Sequence, residues 1–274
     1  MVFEDFSDLK QAVGQRHSVR TFAGRPLNDE QTVMLEKVLT HTVSPFGGRV
    51  AMRLADVGGI DEFRPSTYGV IRRARSYMLL GYNPADRDAA LSAGYLGETA
   101  VLAAAGAGLG TCWIAGTFRA DTFSPSASFD AETPLQIVIP AGEAASRRSM
   151  VDSLMHAVAG SGRRKPMSQL FFDGAPDIPL REESIYYKPL ELMRLAPSAV
   201  NIQPWRAIVD GQDDRVYFYA STLKHHGWVN MGIGLCHFEL ACNALGVKGK
   251  LVATDAMPPV KDWIAVAEFV ADMS

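Results

Sequence analysis

The sequence is poor in the features that would place it quickly. It has three cysteines, Cys112, Cys236 and Cys242, an odd number set in apolar stretches. That excludes a disulfide framework and reads as reduced core residues of an intracellular protein. Charge of either sign is nearly balanced, with a net of −3, so no nucleic-acid footprint is present. The most apolar run, VLAAAGAGLGTCWIAG, is too short and too rich in glycine to span a bilayer. The opening MVFEDFSDLKQAVGQ reads as an amphipathic acidic helix, without the basic segment or cleavage site of a leader. A cytoplasmic protein with neither membrane nor nucleic acid as partner is expected. There is no G-x-S-x-G elbow, P-loop or H-E-x-x-H motif. His225, His226, Cys236, His237 and Cys242 lack paired metal-ligand spacing, and the neighbours Cys236 and His237 diverge on a helix, so no metal is expected.

What the sequence does have is an order that comes twice. Its 274 residues, 47% hydrophobic, allow one large domain or two small ones. Residues 28–43 read as a helix, with Asn28 and Gln31 spaced as a capping box. Ser44-Pro45-Phe46-Gly47-Gly48 ends it. Strands are predicted at 49–57 and 76–82, a long Ala-rich helix at 85–107, a glycine stop, a buried strand end at 111–116 and a strand at 134–142. The second half reads as a helix late in 181–196, a stop at Pro197, strands at 205–211 and 215–221, a helix at 228–245 stopped by Gly246, and strands at 248–254 and 262–270. Helix, break, two strands, long helix, glycine stop and two strands thus recur, although the residues hardly do. The boundaries follow: a first half over 1–159, a connector over 160–180 rich in glycine, proline and basic residues, and a second half over 181–274.

Four stretches have the residue types for chemistry. In Arg16-His17-Ser18-Val19-Arg20, two guanidiniums flank a hydroxyl. If the segment is extended they point one way, which suits a phosphate or another polyoxyanion; alone, it is equally a solvated basic turn. Ala196-Pro197-Ser198, Asn201 and Gln203-Pro204-Trp205 form either a helix stop or a ligand loop. The glycines of GLGTCWIAG close a helix and lead into a strand, the reverse of the dinucleotide fingerprint, so a Rossmann site is excluded; Ala115-Gly116 still permits close backbone approach to a flat ligand. Arg147-Arg148 with Arg163-Arg164-Lys165 is the densest positive charge, either a solvated linker face or a phosphate clamp.

Taken together, RHSVR followed by Thr-Phe, APSAVNIQPWR and GLGTCWIAG resemble the FMN-dependent nitroreductase family. More closely, the chain is similar to its single-chain, internally duplicated, pseudo-dimeric members, and the likeness covers nearly the whole chain. The resemblance implies an α+β fold of two pseudo-symmetric halves, each a mixed, largely antiparallel sheet flanked by helices. It also implies that Arg16, Ser18 and Arg20, with His17 between them, hold the phosphate and ribityl oxygens of FMN. Pro197, Ser198 and Asn201 would come from the opposite half to border the flavin ring, and Ala115 and Gly116 would reach its N5/O4 edge. Arg164 matches a late phosphate-binding arginine, with Arg163 and Lys165 inseparable from it on sequence.

Each half keeps one piece of such a site and lacks the other, so one FMN per chain and a monomer are expected. The implied activity is a hydride transfer from NAD(P)H through FMN to a nitroaromatic, quinone or related small-molecule acceptor, with no side-chain catalyst because the flavin carries the chemistry. A flavin-binding redox module without turnover, or a flavin enzyme of other chemistry such as reductive dehalogenation, is the alternative.

Overall fold

The computed structural model describes residues 3, 5–57, 65–123, 129–146, 163–210 and 214–272. Among them lie five helices and nine strands in two sheets. Arg147-Arg148 and the 211–213 part of the second-half hairpin fall outside these residues.

The first half opens with α1 (Phe6–Gln15), capped by the Asp5 carboxylate, which accepts from Asp8 N. Helix α2 (Asp29–His41) begins with the Asn28/Gln31 capping box, each side chain bonded to the other's backbone N–H. Strands β1 (Val50–Asp56) and β2 (Ser76–Tyr82) pair antiparallel. The long α3 (Arg87–Gly106) then starts at Asp86, whose carboxylate accepts from Asp88 N and Ala89 N. Its Ala- and Leu-rich composition favours helix, and Gly108, at φ 73°, ends it. Strand β3 (Gly110–Thr111) and β4 (Leu135–Gly142) complete a sheet of order β1-β2-β4-β3. The predicted strand at 111–116 is shorter than expected, but Ile114 still bridges to Val138.

The second half repeats this plan. Helix α4 (Tyr187–Leu195), strands β6 (Trp205–Asp210) and β7 (Arg215–Ala220), helix α5 (Gly227–Ala244), and strands β8 (Gly249–Ala253) and β9 (Ile264–Ala271) give the order β6-β7-β9-β8. The correspondence extends to single residues. A register shift falls at Leu80/Gly81 in one half and at Phe218/Tyr219 in the other. A left-handed glycine follows each long helix, at Gly108 and Gly246. Both pairs are the same number of residues apart.

One strand was not foreseen. Strand β5 (Phe171–Asp173), inside the stretch read as a connector, pairs parallel with β6 and makes the second sheet five-stranded. Three residues are too few to show a period, and Phe171 and Phe172 are both buried.

The halves meet where α3 crosses α5, at a reciprocal pair of glycines. A β-carbon on Gly94 would sit 2.1 Å from the Val229 carbonyl oxygen, and one on Gly232 would sit 2.0 Å from that of Leu91. Each glycine thus faces the residue three before its counterpart, as a twofold relation requires. The surrounding core is continuous across the halves, joining Leu91, Tyr95 and Val101 to Ile233, Cys236 and Phe238. Because backbone atoms cannot swing aside, Gly94→Val and Gly232→Val should each lower unfolding free energy by roughly 3 kcal/mol, the upper range for overpacking. Gly106→Ala, where the nearest atom is 3.6 Å away, should leave it unchanged or raised. Urea denaturation of the three variants tests the contrast.

Candidate functional site at the junction of the two halves

A cleft of about 520 Å³ opens at one end of the α3/α5 crossing. One wall is first-half: Arg16, His17, Ser18 and Arg20 with Cys112 to Ala115 and Thr117. The facing wall is second-half: Leu195, Pro197 to Asn201, and His226, Val229, Asn230 and Ile233 from the start of α5; Arg164 joins them.

The first wall is built by strand pairing. After α1, the chain runs extended beside β3, with Ser18 bridging Thr111 in parallel and Val19 N donating to Thr111 O at 2.8 Å. Alternation then turns Val19 inward, where it is 4% exposed against Gly110, and leaves Ser18 and Arg20 on the cleft side. Arg16, His17, Ser18 and Arg20 of the RHSVR segment all line the cleft.

The second wall is a turn in which three residues are left-handed. Val200 (φ 48°), Asn201 (φ 54°) and Gln203 (φ 49°) all have positive φ. Segment 163–165 fastens it. Asn201 Nδ2 donates to Arg163 O at 2.9 Å, and Arg164 Nη1 donates to Asn201 Oδ1 at 3.2 Å. Arg164 Nη2 donates to Leu195 O at 3.1 Å, and Lys165 Nζ to the carbonyls of Ile202 and Gln203. Ser198 Oγ accepts from Gln203 N at 3.0 Å. Asn201 therefore spends its amide on aiming Arg164. The three basic residues that sequence left together are separated: Arg164 faces the cleft, Arg163 contributes its carbonyl to the turn while its side chain is exposed, and Lys165 ties down carbonyls. Gly116, at φ 121°, is exposed and lies outside the cleft lining, whereas Ala115 and Thr117 belong to it.

Asn230 was missed by the sequence reading. It is 2% exposed; its Oδ1 accepts from Ala199 N at 2.9 Å and its Nδ2 donates to His225 O at 2.8 Å. One amide thus clamps the 198–203 turn to the left-handed His225–His226 pair (φ 54° and 61°) that starts α5. A lone asparagine in the apolar WVNMGIGLC run was the only signal. The corresponding clamp in the first half is Ser92, whose hydroxyl bonds Ser44 Oγ and donates to Gly47 O.

The cleft is cationic. None of its described lining residues is acidic. Burial lowers the pKa of Arg164, and the charges of Arg16 and Arg194 lower it further. Arg194, in the last turn of α4, also escaped the sequence reading. The Nε atoms of Arg16 and Arg194 are buried without a hydrogen-bond partner. Partly buried guanidiniums brought together, with no acidic side chain among the described lining residues, suit a dianionic group such as a phosphate monoester. By contrast, His237, considered above as a metal ligand, is buried on Glu98 at 2.8 Å, and no group of three metal-ligating side chains occurs among the described residues.

The architecture that holds this site, two matching α+β sheets around crossed long helices, is the nitroreductase-like fold. The model of the family described as Putative TM nitroreductase matches residues 8–242, and the chain belongs to that family. A crystal structure described as a putative nitroreductase from Thermotoga maritima superposes with a TM-score of 0.60 at 19% identity, covering 96% of this chain and 93% of that one. A nitroreductase with bound FMN from Desulfitobacterium hafniense aligns at 16% identity and a TM-score of 0.39, over 52% of this chain and 91% of its own. A putative nitroreductase in complex with FMN from Desulfovibrio desulfuricans aligns at 20% identity and a TM-score of 0.36, over 54% and 95%. No curated protein matches significantly in sequence. No described helix is long and apolar enough to cross a membrane.

Strain in the second wall gives a direct test. A β-branched residue in left-handed geometry is a backbone outlier, costing on the order of 1–2 kcal/mol, and Val200, 66% exposed, gains little packing in return. The matching turn of the first half has Gly47 and Gly48 at φ 72° and 71°. Val200→Asn should therefore raise stability by about 1 kcal/mol, read from the urea midpoint; an unchanged or lower midpoint would show that the turn is relaxed as it stands.

Proposed function

We propose that this protein is an FMN-dependent oxidoreductase that binds one flavin per chain, in the cleft between its halves, and takes its electrons from NAD(P)H. The observation that carries this reading is the meeting of Arg16, Ser18 and Arg20 with Pro197, Ser198 and Asn201, from opposite halves, around a cleft with no acidic residue in its described lining. Arg16, Arg20 and Arg164 would hold the phosphate, and the buried, unpartnered Arg16 Nε fits that role. Ser18 would meet the ribityl hydroxyls. Pro197, Ser198 and the Trp113–Ala115 segment would enclose the ring. Bound FMN would supply hydride transfer, accepting from NAD(P)H and delivering to a nitroaromatic, quinone or related acceptor. The chain's own part is to bind, orient and exclude water, and its fixed positive charge favours an electron-rich ring. No side-chain nucleophile or base is assigned.

A single site is supported by the state of the pseudo-symmetric position. There Gly48 lies against the backbone of Ala89, where a β-carbon would be 2.3 Å from Ala89 N. Phe46 and Tyr95, each 6% exposed, fill the space edge to face with centroids 6.0 Å apart. Because both walls come from one chain, a monomer suffices, and a cytoplasmic setting suits the substrates.

Titration of the purified protein with FMN, followed by quenching of flavin fluorescence, should saturate at one flavin per chain. Arg16→Ala should weaken binding by roughly tenfold to a hundredfold, as expected for losing a charge-assisted hydrogen bond to phosphate. Asn201→Leu should weaken it less, since it frees Arg164 without removing it. Saturation near two flavins would refute the single site. Tight FMN binding without NAD(P)H oxidation in the presence of nitro and quinone acceptors would favour a redox module instead.

A further inference from the structure

Beneath the cleft runs a buried polar chain that flavin binding does not explain. Glu98, on α3, and His237, on α5, are both 0% exposed, with Oε1 and Nε2 2.8 Å apart. The other carboxylate oxygen of Glu98 accepts from Trp113 Nε1 at 2.9 Å. The other ring nitrogen of His237 lies 3.1 Å from Leu192 O, on α4. The indole of Trp113 lies on Gly97, where a β-carbon would be 2.5 Å from the ring. The chain thus reads Trp113, Glu98, His237, Leu192 C=O, and it crosses from one half to the other.

Its hydrogens are fixed by chemistry. A carbonyl only accepts, so His237 Nδ1 donates to Leu192; an indole only donates, so Glu98 Oε2 accepts from Trp113. One proton remains between Nε2 and Oε1. Whichever atom holds it, every group on the line is satisfied and the net charge is zero. Such a pair adds little to stability over an apolar substitute, but removing one member leaves the rest buried and unpaired. Its use is then geometric, and what its two ends hold is informative. Trp113 begins the Trp113–Ala115 segment that lines the first wall, whereas Leu192 lies one turn before the Leu195–Asn201 segment that lines the second.

We propose that Glu98 and His237 are positioning residues for the cleft, forming a buried strut that fixes the distance between its two walls. Where it concerns flavin affinity, this rests on the function proposed above; the coupling of the walls does not. Hydrogen exchange read by mass spectrometry on the flavin-free protein should show Glu98→Leu speeding exchange in both 113–117 and 195–201, while Glu98→Gln leaves both slow. Glutamine can accept from the indole and donate to a neutral His237, so it should rescue the geometry. In flavin titrations Glu98→Leu should lose affinity by about tenfold, and Glu98→Gln should stay near wild type. Should Glu98→Leu fail to fold, Trp113→Phe, which deletes only the indole end of the line, should loosen both segments in the same way. Acceleration confined to one wall, or a folded Glu98→Leu with unchanged exchange in both, overturns the proposal. Coupled acceleration in a protein that binds no FMN upholds the strut and rejects the flavin reading alone.

Discussion

The close approach of α3 and α5 at Gly94 and Gly232 is the constraint on which the rest depends. It brings two helices to backbone distance with no side chain between them, an approach open only to residues without a β-carbon. That closeness lets Thr99 meet Cys236 and Glu98 meet His237 across the crossing. It also places the start of α5 opposite the RHSVR segment, so that the cleft is narrow enough to be lined from both sides. A side-chain layer at the crossing would separate the halves and widen every feature built on them.

The two halves share a plan but divide its labour. In the first, the left-handed pair after the helix is Gly47-Gly48, relaxed, with Gly48 pressed onto α3. In the second it is Val200-Asn201, strained, with Val200 exposed and Asn201 engaged on Arg164. Strained backbone and clustered cations sit together in one cleft, whereas Phe46 and Tyr95 pack edge to face at the corresponding place in the other half. Strained backbone and positive charge gathered in one spot, while its twin stays relaxed, accord with the single site proposed above.

Much of this was legible in the sequence. The capping box at Asn28, the glycine stops at Gly108 and Gly246 and the alternation of the strands are local signals, and the repeated order followed from them. RHSVR, APSAVNIQPWR and GLGTCWIAG were read as surfaces of one site by resemblance, and residues from each line one cleft, with Gly116 outside it. What the sequence concealed was long-range. Strand β5 is too short for a pattern and exists because β6 offers an edge. Asn230, Arg194 and the pairing of Glu98 with His237 depend on partners far along the chain, and no spacing rule reaches across that separation. The division of Arg163, Arg164 and Lys165 into a carbonyl acceptor for the turn, a cleft cation and a peg for carbonyls depends on backbone direction at each residue, which composition does not encode.

The hooking of segment 163–165 onto the 198–203 turn has a consequence for how the cleft behaves on dilution. A site shared between two separate chains is governed by their association constant and empties of structure as protein is thinned. Here both walls, and the segment that fastens one of them, belong to a single covalent chain. The effective concentration of each wall for the other is set by chain connectivity, so closing the cleft is a unimolecular event, independent of how many molecules surround it.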